Sequence, residues 1–201
     1  MTVKARQVVL ASGNVGKLKE IGQALHEFGI ELKPQHEFGV SPAIEDGQTF
    51  VDNALKKARH AAAATGLPAL SDDSGLAVDA LDGRPGVHSA RFAGADASDA
   101  DNVSLLLHQL QGVDQRSAQF VCVLALVRHA EDTDPIIAKG VWTGHIATEQ
   151  AGRQGFGYDP VFVDTELDIT AAQMTREQKL QRSHRGAALN SLRAQLANVA
   201  V

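Results

Sequence analysis

QVVLASGNVGK, from Gln7 to Lys17, passes from a β-branched apolar run into a glycine-bearing loop, after which Leu18, Ile21, Leu25 and Phe28 recur at helical spacing until Gly29. That is strand, tight loop, helix, the opening unit of a chain in which helices pack on a sheet. Backbone amides at a helix N-terminus favour anions and Lys17 adds a point charge, so the loop reads either as an anion site or as a plain connecting turn. A Walker A loop requires Gly where Ala11 stands and Ser or Thr where Leu18 stands, and both are missing.

Working outward, Ile30–Leu32 reads as a second strand and Val40–Gly47 as a loop, punctuated by Ser41-Pro42 and Asp46-Gly47. Thr49–Thr65 is helical, with Phe50, Asn53, Ala54, Lys57, Ala58 and Ala61 on one side. Pro68–Leu70 forms a short strand that leads into SDDSGLAV, Ser71–Val78. Leu76–Leu81 looks extended and Asp82–Gly86 is a turn. Ser98–Gln111 carries Val103, Leu106, Leu107 and Leu110 at helical spacing behind the cap candidates Ser98 and Asp99. Ser117–Arg128 reads as a central strand, with Pro135–Ile146 its antiparallel neighbour and Val161–Val163 a further short strand. The end of the chain, Thr170 to about Val199, is helical in two pieces. No repeat, linker or shift of composition divides it, so residues 1–201 are expected to be a single domain of α/β or α+β class with a mixed sheet.

With 44% hydrophobic and 21% charged residues, the chain has an ordinary globular balance and enough length for a sizeable core. A formal net charge of −5 gives no general attraction to nucleic acid polymers or anionic membranes, so a small polyanion is the better partner. The single cysteine, Cys122, lies in an apolar run and makes an intrachain disulfide impossible. The apolar run Val8–Ala11 is too short for a signal segment or a membrane span, and the cytoplasm is the expected location.

Several polar clusters can carry chemistry. Asp72 and Asp73 in SDDSGLAV are turn formers by residue type, or acid/base and metal groups at a strand end, with the two readings evenly balanced. Glu45-Asp46, before the second helix, read alone as solvated loop charges. Arg91 in GVHSARFAG adds a cation in a glycine-rich loop. GFGYDP, Gly155–Pro160, sets two aromatics in a loop of a chain with only 4% aromatics, which suits stacking on a flat ligand or plugging a turn. On one unbroken helix Lys179 and Arg185 would stand about 120° apart; long side chains at a helix break converge, whereas a rigid solvent-facing helix splays them.

Taken in order, ASGNVGK, SDDSGL, GVHSARFAG, GFGYDPVF and SHRGAAL resemble the signature blocks of the noncanonical purine nucleoside triphosphate pyrophosphatases, the Ham1 or inosine triphosphatase family, over about Val8 to Leu192. The resemblance implies an α/β fold whose long central mixed β-sheet, flanked by helices, separates two lobes around a nucleotide cleft. It implies hydrolysis of ITP, dITP and XTP to monophosphate and pyrophosphate, with Mg2+, by a homodimer; that neither a nucleic acid polymer nor a membrane is a partner is the expectation from net charge. On these matches Ser12, Gly13, Asn14, Val15, Gly16 and Lys17 form the triphosphate loop, Ser12 standing where the family usually has Thr. Asp73 matches the proton acceptor and metal carboxylate, and Ser74 the adjacent substrate contact. Glu45 best matches the second metal carboxylate, with Asp46 the alternative one residue on. Phe156, Gly157, Tyr158 and Asp159 match the base-holding loop with Phe156 the stacking ring, and Lys179, His184 and Arg185 the remaining substrate contacts, the last two facing the purine.

The chemistry agrees with that inventory. Splitting a triphosphate develops charge on its oxygens, and a divalent cation, lysines and amide donors meet it. A Maf-like pyrophosphatase acting on pyrimidine or modified nucleotides is the nearest rival. A non-catalytic nucleotide- or RNA-binding module is the rival from another class.

Overall fold

The computed structural model describes residues 6–12 and 15–198, and of residues 15–17, 19 and 20 the backbone alone. Strand β1 (Arg6–Leu10), helix α1 (Val15–Leu25) and strand β2 (Ile30–Pro34) form the expected βαβ unit, with β1 and β2 parallel and Val8 opposite Leu32. Parallel neighbours need such a crossover, because the chain must return to the same end of the sheet. Helix α2 (Phe50–Thr65) makes the next crossover into strand β3 (Ala69–Val78), which pairs with the other side of β1 through Val9–Ala69 and Leu10–Leu70. At the start of α2, Thr49 Oγ1 accepts the Asp52 N–H and the Asp52 carboxylate accepts the Thr49 N–H, both at 3.1 Å, satisfying two amides that have no partner within the helix.

Helix α3 (Asp99–Gln109) precedes strands β4 (Ser117–Val127) and β5 (Ile136–Ile146). Strand β6 (Phe162–Asp164) and helices α4 (Arg176–Arg182) and α5 (His184–Asn198) follow. Among the described residues the strands run in the order β2-β1-β3-β4-β5-β6, parallel at β1 and antiparallel where β6 meets β5. This is an α/β fold with a central mixed sheet flanked by helices. Strand β4 lies between β3 and β5, and its nearly unbroken burial is what an interior strand covered on both faces requires.

The chain divides into two compact units. The first holds the described residues up to Asp73, Val123–Lys139 and those from Ala188 onward; the second holds Ser74–Cys122 and Gly140–Ala187. In the first, Val8, Val9, Leu10, Ile21, Leu25, Ala54, Ala58 and Ala61 are buried. The second has its own core, in which Leu76, Leu106, Phe120, Trp142, Phe162 and Met174 pack together.

Four segments depart from the elements expected of them, the first being Thr170–Thr175, which forms a bridge and turns so that α4 begins only at Arg176. SDDSGLAV is not bent: β3 runs through it to its last residue, Val78, and Asp72 and Asp73 lie inside the strand, 2% and 6% exposed. Its polar residues are accommodated because Ser71 Oγ donates to the Ala54 carbonyl at 2.6 Å and Lys57 supplies a counter-charge to Asp73. Alternation of apolar and polar residues, the usual mark of a strand, is absent since both faces are covered. GVHSARFAG is not a plain loop but contains a 3-10 turn at Gly86–Arg91, and the extended run from Leu76 stops at Val78, where Asp79–Leu81 turns.

Asp164 organises the second unit around a buried carboxylate. It accepts from Trp142 Nε1 at 2.7 Å, Arg182 Nε at 2.9 Å and the amides of Glu166 and Leu167 at 3.0 and 2.8 Å. Burial alone would raise its pKa, but the guanidinium, indole and amides outweigh that and bring it to about 2. Because the folded value lies below the ordinary one, the stabilisation is complete above pH ~4 and is lost as pH falls towards about 2. Asp164→Asn is expected to lower stability at neutral pH by about 2 kcal/mol and to flatten its pH dependence in this window, as read by denaturant titration.

Candidate active site

The first unit gathers charge where α2 faces β3 and the loop before it. Lys57 follows Asn53 by one turn and so lies on the same, buried side of α2. Its ammonium reaches Asp73 Oδ1 at 2.7 Å and Glu45 Oε1 at 3.1 Å. Glu45 is held by its loop: the Gly47 N–H donates to Asn53 Oδ1 at 2.8 Å, and His60 Nε2 lies 2.9 Å from the Ser41 carbonyl. The neighbouring Asp46 goes elsewhere, to an exposed pair with Lys56. A cavity of about 150 Å3 is lined by Ser12, Gln35, Glu45, Lys57 and Asp72. Asp73 Oδ2 is buried and, among the described residues, without a hydrogen-bond partner.

Burial holds the Asp73 carboxyl above the ordinary carboxylate range; the Lys57 ammonium pulls the other way, while Glu45 and Asp72 add to the rise. For Lys57, burial works against the charge, but Asp73 and Glu45 outweigh it and raise the ammonium above its usual value. Lys57 is therefore firmly cationic, and Asp73 is a stronger base than a solvated aspartate.

The second unit carries an aromatic and cationic cluster on the loop before β6. The two rings of GFGYDP have different fates. Phe156 is 56% exposed, whereas Tyr158 is 4% exposed, a member of the core whose hydroxyl donates to the Ser89 carbonyl at 2.8 Å. Burial, with the Asp99 charge, pushes the Tyr158 hydroxyl well above the usual phenol range. Asp159 accepts from the Phe156 amide at 2.8 Å and pairs with Lys179. Position 155 must be glycine: it has φ +82°, and a side chain there would collide with the Asp159 carboxylate.

Helices α4 and α5 are separate because Ser183 is extended between them, with its Oγ accepting the Gly186 N–H at 3.2 Å. A side chain at Gly186 would strike the Leu180 carbonyl, so the tight junction needs that glycine. The break brings Lys179 and Arg185 together, 5.2 and 5.9 Å from the Phe156 ring centre. His184 is buried, stacked on Phe120 at 4.8 Å and 15°.

The Ham1 family model matches residues 8–195. The chain belongs to the Ham1 family. It is 55% identical over 186 residues to the dITP/XTP pyrophosphatase of Yersinia pseudotuberculosis, covering 92% of this chain and 94% of that one. The structure of a HAM1 protein from Coxiella burnetii is similar with a TM-score of 0.93 and 47% identity, covering 96% of this chain and all of that one. The Ham1 protein of Staphylococcus aureus gives 0.89 and 40%, covering 96% and 99%.

Of the residues expected from sequence in this Ham1 chain, Glu45 and Asp73 meet through Lys57, and Ser12 lines the same cavity. Asp72, rather than Asp73, lines that cavity with them. Gly13 and Asn14 lie outside the described residues; Val15, Gly16 and Lys17 form the first turn of α1, and nothing is described of their side chains. Phe156, Lys179 and Arg185 come together in the second unit with Gly157 and Asp159, while Tyr158 contributes backbone only, its ring being in the core. Ser74 follows Asp73 on β3 and is half-buried. Lys57 has no role in the sequence pattern; its signal there is a lysine on the alanine-lined side of α2, where a charge needs a partner.

Among the described residues no three His, Cys, Asp or Glu side chains gather as a metal cluster. Mg2+ asks for less, since it binds oxygen, keeps several waters and needs only one or two carboxylates. Glu45 and Asp73, joined at Lys57 and with one buried Asp73 oxygen unpartnered, fit that requirement. Among the described residues no helix is long and apolar enough to cross a membrane.

Proposed function

We propose that this Ham1 chain hydrolyses ITP, dITP and XTP, in a Mg2+-dependent reaction, to the monophosphate and pyrophosphate, and so clears deaminated purines from the nucleotide pool. Family membership and the dITP/XTP pyrophosphatase named among its relatives support the enzyme class. The observation that carries the chemistry is the Glu45–Lys57–Asp73 arrangement, with its buried, unpartnered Asp73 oxygen. A homodimer belongs to the same reading and rests on family resemblance, and a cytoplasmic location is proposed with it.

In this reading Asp73 takes a proton from the attacking water as the bridge between the α and β phosphates breaks, and pyrophosphate leaves. Lys57 keeps the base oriented and offsets the charge of Glu45 and Asp72 beside it. Mg2+, held by Glu45 and Asp73, would neutralise charge developing on the phosphate oxygens. Ser12, Gly13, Asn14, Val15, Gly16 and Lys17 hold the triphosphate, and Ser74 and Lys179 make further substrate contacts. Phe156 offers its exposed ring to the purine, framed by Gly157, Tyr158 and Asp159, while His184 and Arg185 meet the base edge. A donor such as Arg185 rewards the 6-oxo group of hypoxanthine and xanthine and leaves adenine's amine unmatched.

Product analysis on ITP, dITP, XTP, GTP and ATP, with and without Mg2+, tests the proposal. Monophosphate plus pyrophosphate from the first three, lost on chelation, is the expected result. Diphosphate plus phosphate, or a preference for UTP or methylated nucleotides in an extended panel, would overturn it.

A further inference from the structure

We propose that Asp99, at the start of α3, is a positioning residue for the nucleotide base, acting through the Gly157 amide to hold Gly155–Asp159 in its binding shape. This rests on reading that loop as the base holder. Helix α3 does not need Asp99 as its cap. Ser98 Oγ accepts the Asp101 N–H at 3.2 Å, and the Asp101 carboxylate accepts the Ser98 N–H at 2.9 Å, which completes a capping box without it. The Asp99 carboxylate instead accepts the Gly157 N–H at 2.7 Å, from a residue 58 positions away, at the length of a charge-assisted bond.

The next residue is tethered as well. Tyr158 donates to the Ser89 carbonyl, and Ser89 is itself fixed, its hydroxyl donating to the Gly86 carbonyl at 2.6 Å and accepting the Leu76 N–H at 2.8 Å. GVHSARF thus has a task, as the mount on which the loop's buried ring is anchored. Phe156 stands between Gly155 and Gly157, at φ +82° and +59°, with more than half its surface exposed. The Lys179 and Arg185 cations and the bond of its own amide to Asp159 hold it from one side, and the tethers of its neighbours fix the backbone on the other. The Tyr158 anchor is buried and belongs to the core, whereas the Asp99 anchor is exposed and can be removed without opening it. Without it the loop must be ordered at each binding event, and the cost falls on affinity rather than on the chemical step.

The test compares wild type, Asp99→Ala and Asp99→Asn, since asparagine keeps an acceptor oxygen. In D99A, KM for ITP is expected to rise about 5- to 10-fold, equivalent to about 1 to 1.4 kcal/mol, with kcat held within about 2-fold. D99N restores most of the affinity. Amide exchange of Gly157, followed without nucleotide, is expected to speed up in D99A and less in D99N, while the melting temperature stays within a few degrees of wild type. Unchanged KM and exchange in D99A would overturn the proposal, as would a fall in kcat with KM unmoved. If wild type itself leaves ITP intact, the functional reading fails, and the exchange comparison still decides whether Asp99 holds the loop.

Discussion

Asp73→Asn is expected to lower kcat for ITP by roughly 10²- to 10⁴-fold, the range for loss of a general base, in a protein that remains folded. The substitution preserves size and one acceptor for Lys57. Burial raises the Asp73 carboxyl above its ordinary value, so the stability it contributes is full below the usual carboxylate range and declines as pH rises through the folded pKa. At neutral pH the ionised group is therefore a net burden on the fold, and the neutral amide is expected to leave the melting temperature equal or higher. In wild type the acid limb of kcat/KM should lie above the ordinary aspartate value of 3.8, and D73N should lack it. Asp72→Asn is the control, because Asp72 lines the neighbouring cavity. Near-normal turnover in D73N, with the loss in D72N instead, would transfer the base to Asp72.

Lys57→Met is expected to damage both stability and turnover. Lys57 is the cation between Asp73 and Glu45, and its pKa is raised, so its contribution is full at neutral pH and fades only as pH climbs through the folded value. Removing it leaves a mostly buried carboxylate beside two others, which costs about 3 kcal/mol by analogy with broken buried pairs. Turnover should fall by roughly 10²-fold or more, as when a preorganised charge is taken from a site. The Asp73 carboxyl, relieved of its partner, should titrate still higher, moving the acid limb of the rate profile to higher pH. Urea denaturation and a pH–rate series would measure these effects. Wild-type stability together with an unmoved limb would argue against the arrangement. The double variant with D73N should cost less stability than K57M alone, since no ionised Asp73 is then left stranded.

The path from residues to site was legible in some places and closed in others. QVVLASGNVGK reads as strand, loop and helix because each element shows its period and its breaker within a few residues. The cap at Ser98 is equally local. SDDSGLAV misled, because serine, aspartate and glycine favour turns in isolation, and nothing nearby reveals that both faces of the strand will be covered. In GFGYDP residue type alone does not separate the two aromatics; the family resemblance singles out Phe156 as the stacking ring, and the physical reason for the division lies elsewhere. That division follows from the reach of Tyr158 to Ser89, 69 residues away.

By itself, then, the sequence determined the order of most elements and a mixed sheet with helices, through local periodicity, caps and turn residues, while its short motif blocks carried the family resemblance and with it the α/β class. Only the tertiary structure decided that Glu45, and not Asp46, shares Lys57 with Asp73, that the Tyr158 ring goes to the core, and that Asp99 reaches Gly157. Neighbours on an extended chain point to opposite sides, and which side meets a partner depends on how distant elements pack.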